Sequence, residues 1–253
     1  MSAGVPRSAA RTAVLWEAVR RVLEAPGASA EERARIIDIG GGTGGFAVRL
    51  AALGHRVTVV DPSPDALAAL SRRAAESGVT DLVAGVQGDL AGLLDGFDGS
   101  DGLDGDADLV LCHGVLEVVP DPTAALATLG EVLRPGGTLS LLVAQRHAAV
   151  IARAMAGHFQ QARDLLDPAT GTGGRTGRSG HRFTHDEITA LLSAAGLEPT
   201  TVHGIRVFAD LVPGSLLDLE PGATAALVEL EQAVAERPEY LPLATQLHVL
   251  AKR

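Results

Sequence analysis

Cysteine and aromatic residues are scarce in this chain of 253 residues. Cys112 is the only cysteine, which excludes an internal disulfide and fits a reducing compartment. Aromatic residues make up 3% of the chain, whereas hydrophobic residues make up 46%. Alanine, leucine and valine must therefore fill most of the core, and a chain of this length can bury a large one.

Long apolar runs and an excess of positive charge are also lacking. No run of about eighteen apolar residues is present, so we expect no segment that spans a membrane. Arg7 and Arg11 are not followed by an uninterrupted apolar stretch, so we expect no signal peptide and predict a cytoplasmic protein. The formal net charge of -10 argues against a general nucleic-acid coat but leaves room for a local basic patch.

Apolar segments alternate with helical patterns along the chain, which is typical of a parallel sheet covered by helices on both faces. The helical patterns cover residues 12–24, 46–53, 65–77, 122–133, 147–166, 184–196 and 223–235. Seven strands are predicted, at residues 36–39, 57–60, 82–86, 108–112, 138–143, 200–207 and 245–250. We expect a single domain over residues 1–253, with an N-terminal helical cap at 1–30 and a lid insertion at 146–183. Within the lid, the polar, glycine-rich residues 167–182 are typical of a mobile loop over a site.

A glycine-rich segment, Asp38-Ile39-Gly40-Gly41-Gly42-Thr43-Gly44-Gly45, follows the first predicted strand and precedes the first helix of the sheet. Glycines at such a position let the backbone turn sharply and approach a ligand closely. Gly40, Gly42 and Gly45 fit the dinucleotide pattern G-x-G-x-x-G. Asp38, Gly40, Gly42 and Gly44 fit the methyltransferase pattern D-x-G-x-G-x-G, so the loop alone leaves both open.

Three acidic residues at three successive strand ends decide between these patterns. Asp38 is placed to receive the ammonium of a methionine moiety, which a dinucleotide lacks. Asp61, followed by Pro62, ends the second strand, where an acid contacts ribose hydroxyls. Asp89, after Gly88, is placed to contact an adenine amino group. A single aspartate after a strand is more often a helix cap, but three at one sheet edge favour S-adenosylmethionine as the cofactor.

The turn Leu133-Arg134-Pro135-Gly136-Gly137 precedes the fifth strand. Together with the loop and the acids, it resembles the class I methyltransferases. The resemblance implies an α/β fold with a Rossmann-like, seven-stranded sheet. Such a sheet is mostly parallel with the last strand antiparallel.

A closer resemblance, to the bacterial tRNA 5-carboxymethoxyuridine methyltransferases, extends over nearly the whole chain. It rests on segments 10–16 (ARTAVLW), 111–117 (LCHGVLE), 155–159 (MAGHF), 204–210 (GIRVFAD), 227–231 (LVELE) and His248-Val249. The resemblance implies that Arg11 helps to hold the cofactor, together with Asp38, Gly40, Gly41, Gly42, Gly44, Asp61, Pro62, Gly88, Asp89 and His113. It also implies that His113 lies beside the transferred methyl group. The resemblance and the position of Arg206 near the carboxyl edge of the sheet make Arg206 the candidate for binding an acceptor carboxylate, as a guanidinium does through two parallel hydrogen bonds. The alternatives are purely structural roles: a solvated helix residue for Arg11, a hydrogen-bonded strand-end histidine for His113 and a strand-edge arginine for Arg206.

The chain departs from this family on the acceptor side. Residues 173–182 carry Arg175, Arg178, His181 and Arg182 where family members often have a lysine-rich insert. Ala144 and Gln145 stand where an aromatic residue and an asparagine are expected. Both departures weaken the tRNA assignment and leave the donor assignment intact.

No metal site is expected. Residues 95–108 contain six aspartates among glycines, but their spacing is not that of an EF-hand loop. The eight histidines show no paired spacing typical of zinc.

The leading hypothesis is an S-adenosylmethionine-dependent methyltransferase that esterifies the carboxylate of 5-carboxymethoxyuridine in tRNA. The alternative is an O- or N-methyltransferase that acts on a small metabolite. A non-catalytic protein that only binds the cofactor is the third class. The partner is thus tRNA or a small acceptor, and the oligomeric state is left open.

Overall fold

The structure is a computed structural model that describes residues 7–24, 33–90, 105–166, 180–219 and 221–253. The aspartate-rich segment up to residue 104 and Arg175 and Arg178 of the predicted lid lie outside the described residues. For Arg11 only the backbone is described.

All seven predicted strands are present and form one sheet in the order β3-β2-β1-β4-β5-β7-β6. Their bounds are β1 Arg35–Ile39, β2 Arg56–Asp61, β3 Val83–Gln87, β4 Ala107–His113, β5 Leu133–Ala144, β6 Glu198–Ile205 and β7 Gln246–Lys252. Strands β1 to β5 pair in parallel. Strand β7 runs antiparallel to β5, since Arg253 N–H donates to Gly137 O at one end and Gln145 N–H donates to Thr245 O at the other. The predicted fold class is confirmed.

The fifth strand begins earlier than predicted. Leu133 pairs with Ala107, and Thr138 pairs with Leu109, so the intervening residues of β5 form a bulge. The predicted turn lies in this bulge, where Gly136 has a positive φ of 76°. The prediction of a separate turn before the strand is therefore wrong, because residues 133–137 belong to β5 and form its bulge.

The helices have the bounds α1 Arg7–Leu23, α2 Ala47–Ala52, α3 Pro64–Glu76, α4 Pro122–Val132, α5 Arg146–Met155, α6 Phe159–Asp164, α7 His185–Ala194, α8 Gly214–Leu219 and α9 Ala223–Val234. The predicted capping box of α7 is present. Thr184 N–H donates to Glu187 Oε2 at 2.9 Å, and Glu187 N–H donates to Thr184 Oγ1 at 3.3 Å. Helix α8 and the 3-10 turns Thr80–Leu82 and Leu241–Leu243 were not predicted from the sequence.

The prediction of one helix over residues 147–166 is wrong. The helix breaks between α5 and α6, where Gly157 has a positive φ of 78° and His158 N–H donates to Arg153 O at 2.9 Å. A residue in the left-handed region ends a helix, and glycine enters that region without a steric penalty. The apolar period continues across the break, so periodicity alone did not reveal it.

Backbone contacts divide the chain into two compact units. The larger unit comprises Val22–Leu142, Thr189–Thr200 and Val249–Arg253, and it holds β1 to β4 with α2 to α4. The smaller unit comprises Met1–Arg21, Val143–Ile188 and Thr201–His248, and it holds α5, α6, α8 and α9. The expected single domain, the N-terminal cap and the lid stay predictions.

Strands β1, β2 and β4 of the larger unit are buried along most of their length. Their isoleucine, valine and leucine side chains account for this burial, as expected for the central strands of a parallel sheet. The parallel register brings the carboxyl ends of β1, β2 and β4 to one edge of the sheet. That edge is where open α/β sheets bind ligands.

Candidate functional site

Asp38 is a buried carboxylate within β1. Its side chain is 3% exposed. Burial, with a smaller contribution from the nearby charge of Asp61, raises the pKa of Asp38 to about 7. A buried carboxylate of this kind is stabilised by a cation such as an ammonium group, so Asp38 is suited to the role that the sequence predicts for it.

Asp61, at the end of β2, holds the glycine loop. Its Oδ2 accepts the N–H of Gly42 at 2.9 Å, and its Oδ1 accepts the N–H of Ser63, also at 2.9 Å. Each carboxylate oxygen keeps a second lone pair, so the side chain can still accept hydroxyl groups. Gly88 N–H donates to Asp61 O at 3.3 Å, which ties the residue before Asp89 to the same strand end.

The glycines of the loop are required by close contacts as well as by backbone conformation. Gly40, Gly42 and Gly44 have positive φ values of 67°, 57° and 77°. A Cβ on Gly41 would lie 2.5 Å from Asp38 Oδ2, so any larger residue there would displace the buried carboxylate. A Cβ on Gly45 would meet only Arg73, at 3.8 Å. The loop thus depends on the glycines of the methyltransferase pattern and does not depend on the third glycine of the dinucleotide pattern.

Pro62 and Asp89 are both exposed. Pro62 directly follows Asp61, and its carbonyl accepts a hydrogen bond from Gln87 Nε2 at 3.4 Å. The structure therefore groups Asp38, the glycines, Asp61, Pro62, Gly88 and Asp89 at the ends of β1 to β3, all within the larger unit.

His113 ends β4 in the same unit. Its Nε2 lies 2.9 Å from Ser140 Oγ, and its ring packs edge-to-face with Phe46 at a centroid distance of 5.3 Å. Burial lowers the pKa of His113 to about 4, so the imidazole is neutral at physiological pH. Neither Ser140 nor Phe46 was identified from the sequence.

Comparison with known proteins decides between the two cofactor classes. A family model described as a methyltransferase domain matches residues 10–202. The chain is also 30% identical over 250 residues to the tRNA 5-carboxymethoxyuridine methyltransferase of Escherichia coli strain K12, which covers 99% of this chain and 90% of that protein.

The chain belongs to the methyltransferase family.

Its methyl donor is S-adenosylmethionine. The methyltransferase is also 33% identical over 177 residues to the ubiquinone biosynthesis O-methyltransferase of Xanthomonas euvesicatoria pv. vesicatoria, over 68% of this chain and 66% of that protein. An S-adenosylmethionine-dependent methyltransferase from Mesorhizobium loti superimposes with a TM-score of 0.58 at 20% identity, over 95% of this chain and 98% of that chain. At that identity the superposition shows the shared fold alone.

Arg206 and Arg11 of the methyltransferase belong to the smaller unit. Arg206 follows β6, and its Nη2 forms an ion pair with Asp210. Its Nε is buried and has no hydrogen-bond partner among the described residues. This N–H group of the guanidinium therefore still needs a hydrogen-bond acceptor.

A cavity of about 420 Å³ lies within the smaller unit, between α5 and the segment that contains Asp210. Its apolar lining comes from alanines of α5 and from Ile151, Leu211 and Leu243. Its basic lining comes from Arg153, His158 and Arg182. Among the described residues, Asp210 is the one carboxylate of the lining. The cavity is therefore both apolar and positively charged, in a chain whose net charge is negative.

The unexpected Gln145 has a local structural role. It is buried; its Oε1 accepts the N–H of Ala148 at 3.2 Å, and its Nε2 donates to Leu241 O at 2.9 Å. The side chain thus caps α5 and joins it to the Leu241–Leu243 turn.

Two absences can be stated for the described part of the chain. No helix in it is long and apolar enough to cross a membrane. No group of three or more histidine, cysteine, aspartate or glutamate side chains in it could hold a metal ion.

Proposed function

We propose that this methyltransferase esterifies the carboxylate of 5-carboxymethoxyuridine in tRNA. The observation that carries the proposal is the identity over 99% of the chain to a protein with that activity. An apolar cavity with three basic side chains supports it, since a nucleotide presents a flat base and an anionic backbone.

For the donor, the proposal assigns the ammonium group to Asp38, the ribose hydroxyls to Asp61 and the adenine amino group to Asp89. The glycines and Pro62 shape the surface around the donor, and Arg11 and His113 complete the donor contacts. Asp38 and Asp61 support this arrangement through the burial and hydrogen bonds described above.

For the acceptor, the proposal assigns the carboxylate to Arg206. The Nε and Nη2 donors form the edge of a guanidinium that binds a carboxylate through two parallel bonds. Asp210 pairs with Nη2, and Nε has no hydrogen-bond partner among the described residues, so this N–H group is available to an incoming carboxylate.

The chemistry needs little from the protein besides positioning. S-adenosylmethionine supplies a methyl group on a positively charged sulfur. The acceptor carboxylate is ionised at neutral pH, and its oxygen forms a bond to the methyl carbon as the carbon–sulfur bond breaks. No proton moves, so a neutral His113 suits the site, and the rate depends on holding the two reactants close and in line.

The test is transfer of radiolabelled methyl to bulk tRNA from a strain that lacks this enzyme, followed by mass spectrometry of the nucleosides. Label in the methyl ester of carboxymethoxyuridine supports the proposal. No label on tRNA, with donor binding verified by calorimetry, contradicts it.

A small-molecule acceptor is the second candidate. It is favoured by the identity to a ubiquinone biosynthesis O-methyltransferase and by the apolar part of the cavity lining. The same assay with a panel of metabolites in place of tRNA separates the two.

A further inference from the structure

Glu231, on α9, is fully buried and binds three consecutive backbone N–H groups. Its Oε2 accepts the N–H of Val207 at 2.9 Å, and its Oε1 accepts those of Phe208 at 2.8 Å and Ala209 at 2.7 Å. A buried carboxylate is costly unless it is well hydrogen-bonded. Glu231 meets that condition by binding the segment that directly follows Arg206.

The residue that directly precedes the bound segment is strained. Among the described residues, Arg206 is the only one besides glycine with a positive φ, at 61°. A side chain in the left-handed region is sterically unfavourable and persists only where the surroundings impose it. Successive N–H groups after a left-handed residue converge on one point, and the carboxylate of Glu231 lies at that point.

Arg206 is held from its other side as well. Its carbonyl accepts from Thr245 N–H at 3.4 Å, and Thr245 Oγ1 lies 3.1 Å from the same oxygen. Thr245 Oγ1 also lies 3.0 Å from Asp210 Oδ2, the oxygen that pairs with the guanidinium. Asp210 and Thr245 both line the cavity. The backbone and the guanidinium of Arg206 are thus fixed by one network of contacts within the smaller unit.

We infer that Glu231 is a positioning residue for acceptor recognition. By binding three amides it keeps Arg206 in the left-handed conformation and holds the Nε edge of the guanidinium ready for the acceptor carboxylate. The inference rests on the proposed function, in which Arg206 binds that carboxylate.

The first test is kinetic and uses Glu231→Gln. Glutamine has one carbonyl oxygen, and its NH₂ group would face a backbone N–H, so at least one of the three hydrogen bonds is lost. We expect KM for the carboxymethoxyuridine tRNA to rise about tenfold, with kcat and the Kd for S-adenosylmethionine little changed. Glu229→Gln, at an exposed position on the same helix, is the matched control and should leave all three unchanged.

A double-mutant cycle separates positioning from general stabilisation. If Glu231 acts through Arg206, the variant with both Arg206→Lys and Glu231→Gln should lose no more than Arg206→Lys alone. Additive losses, or a parallel loss of donor affinity, would mean that Glu231 only stabilises the fold and would overturn the inference. If Glu231→Gln does not fold, Glu231→Asp keeps the charge but moves it back by one methylene and serves in the same cycle.

A second readout does not depend on the acceptor. In a ¹⁵N spectrum the Arg206 Nε–H signal, assigned by its loss in Arg206→Lys, should broaden or shift in Glu231→Gln and stay unchanged in Glu229→Gln. An unchanged signal in Glu231→Gln overturns the inference whatever the acceptor is. A wild-type enzyme that labels no tRNA overturns the proposed function instead, so the two failures are distinguishable.

Discussion

Asp61 and Gly42 are joined by a hydrogen bond of 2.9 Å from the glycine N–H to the carboxylate Oδ2. The residue that we assign to the ribose of S-adenosylmethionine therefore also holds the glycine loop that we assign to the same ligand. Asp61 is 8% exposed and lies at the end of a strand that is buried along most of its length.

Asp61→Ala is expected to weaken binding of S-adenosylmethionine by more than about a hundredfold, or about 2.7 kcal/mol, because both the ribose contact and the loop contact are lost. Isothermal calorimetry measures this directly. Asp65→Ala, at an exposed acid in the first turn of α3, is the control and should bind normally. Undiminished affinity in Asp61→Ala would show that the donor site is misplaced.

Donor affinity is expected to fall as the pH is lowered through 7. Only the ionised form of Asp38 attracts an ammonium group, and the pKa of this carboxyl is raised to about 7. If only that form binds, the Kd at pH 5.5 should be about thirtyfold higher than at pH 8. Asp38→Asn should bind weakly at both pH values. A wild-type Kd that does not change with pH would refute the assignment.

The raised pKa of Asp38 also predicts how the free energy of unfolding of the protein without S-adenosylmethionine depends on pH. The folded-state pKa of Asp38 lies above its ordinary value of 3.8, so the folded protein binds this proton more tightly than the unfolded chain does. The resulting stabilisation of the folded protein is complete below a pH of 3.8, the ordinary pKa, and is lost as the pH rises through about 7. Asp38→Asn should therefore gain free energy of unfolding relative to wild type between pH 5 and pH 8. Urea unfolding tests this, and an equal difference at both pH values would contradict it.

Gly41→Ala and Gly45→Ala should differ sharply. The new Cβ at position 41 would lie 2.5 Å from Asp38 Oδ2 and 2.9 Å from Val59 Cγ1, both in buried surroundings. We expect a lower Tm and a donor affinity reduced by more than about tenfold. The Cβ at position 45 has room, so Tm and affinity should stay near wild type. A harmful Gly45→Ala would favour the dinucleotide pattern instead.

His113→Gln tests whether the acceptor needs a base. With a pKa of about 4, His113 stays neutral from pH 6 to 9 and should cause no inflection in kcat over that range. A carboxylate acceptor needs no proton removed, so His113→Gln should keep kcat within about tenfold, whereas loss of a general base costs about a hundredfold or more. The larger loss, measured with tRNA as acceptor, would indicate that His113 acts as a base.

The residues that we assign to acceptor binding could be predicted from the sequence only in part. Arg206 was named from a family resemblance, but Asp210, Thr245 and Glu231 were not connected with it. A signal for Glu231 was present, since it follows Leu227 by four residues and precedes Val234 by three, on the buried face of α9. An acidic residue on an apolar helix face predicts a buried partner but does not say which one.

The sequence by itself determined the sheet, the glycine loop and the placement of Asp38, Asp61 and Asp89 near the carboxyl ends of their strands. These follow from local rules, because strand and helix periods are read within a few residues and parallel strands bring their carboxyl ends to one edge. Tertiary structure alone decided that His113 is neutral, that the backbone of Arg206 is strained and that Glu231 binds the backbone of residues 207–209. The neutral state of His113 depends on its burial, and the contacts of Glu231 and Arg206 join groups that are 24 and 39 positions apart along the chain, as between Glu231 and Val207 and between Arg206 and Thr245. Burial and hydrogen-bond partners over such separations are set by packing, which no local pattern encodes.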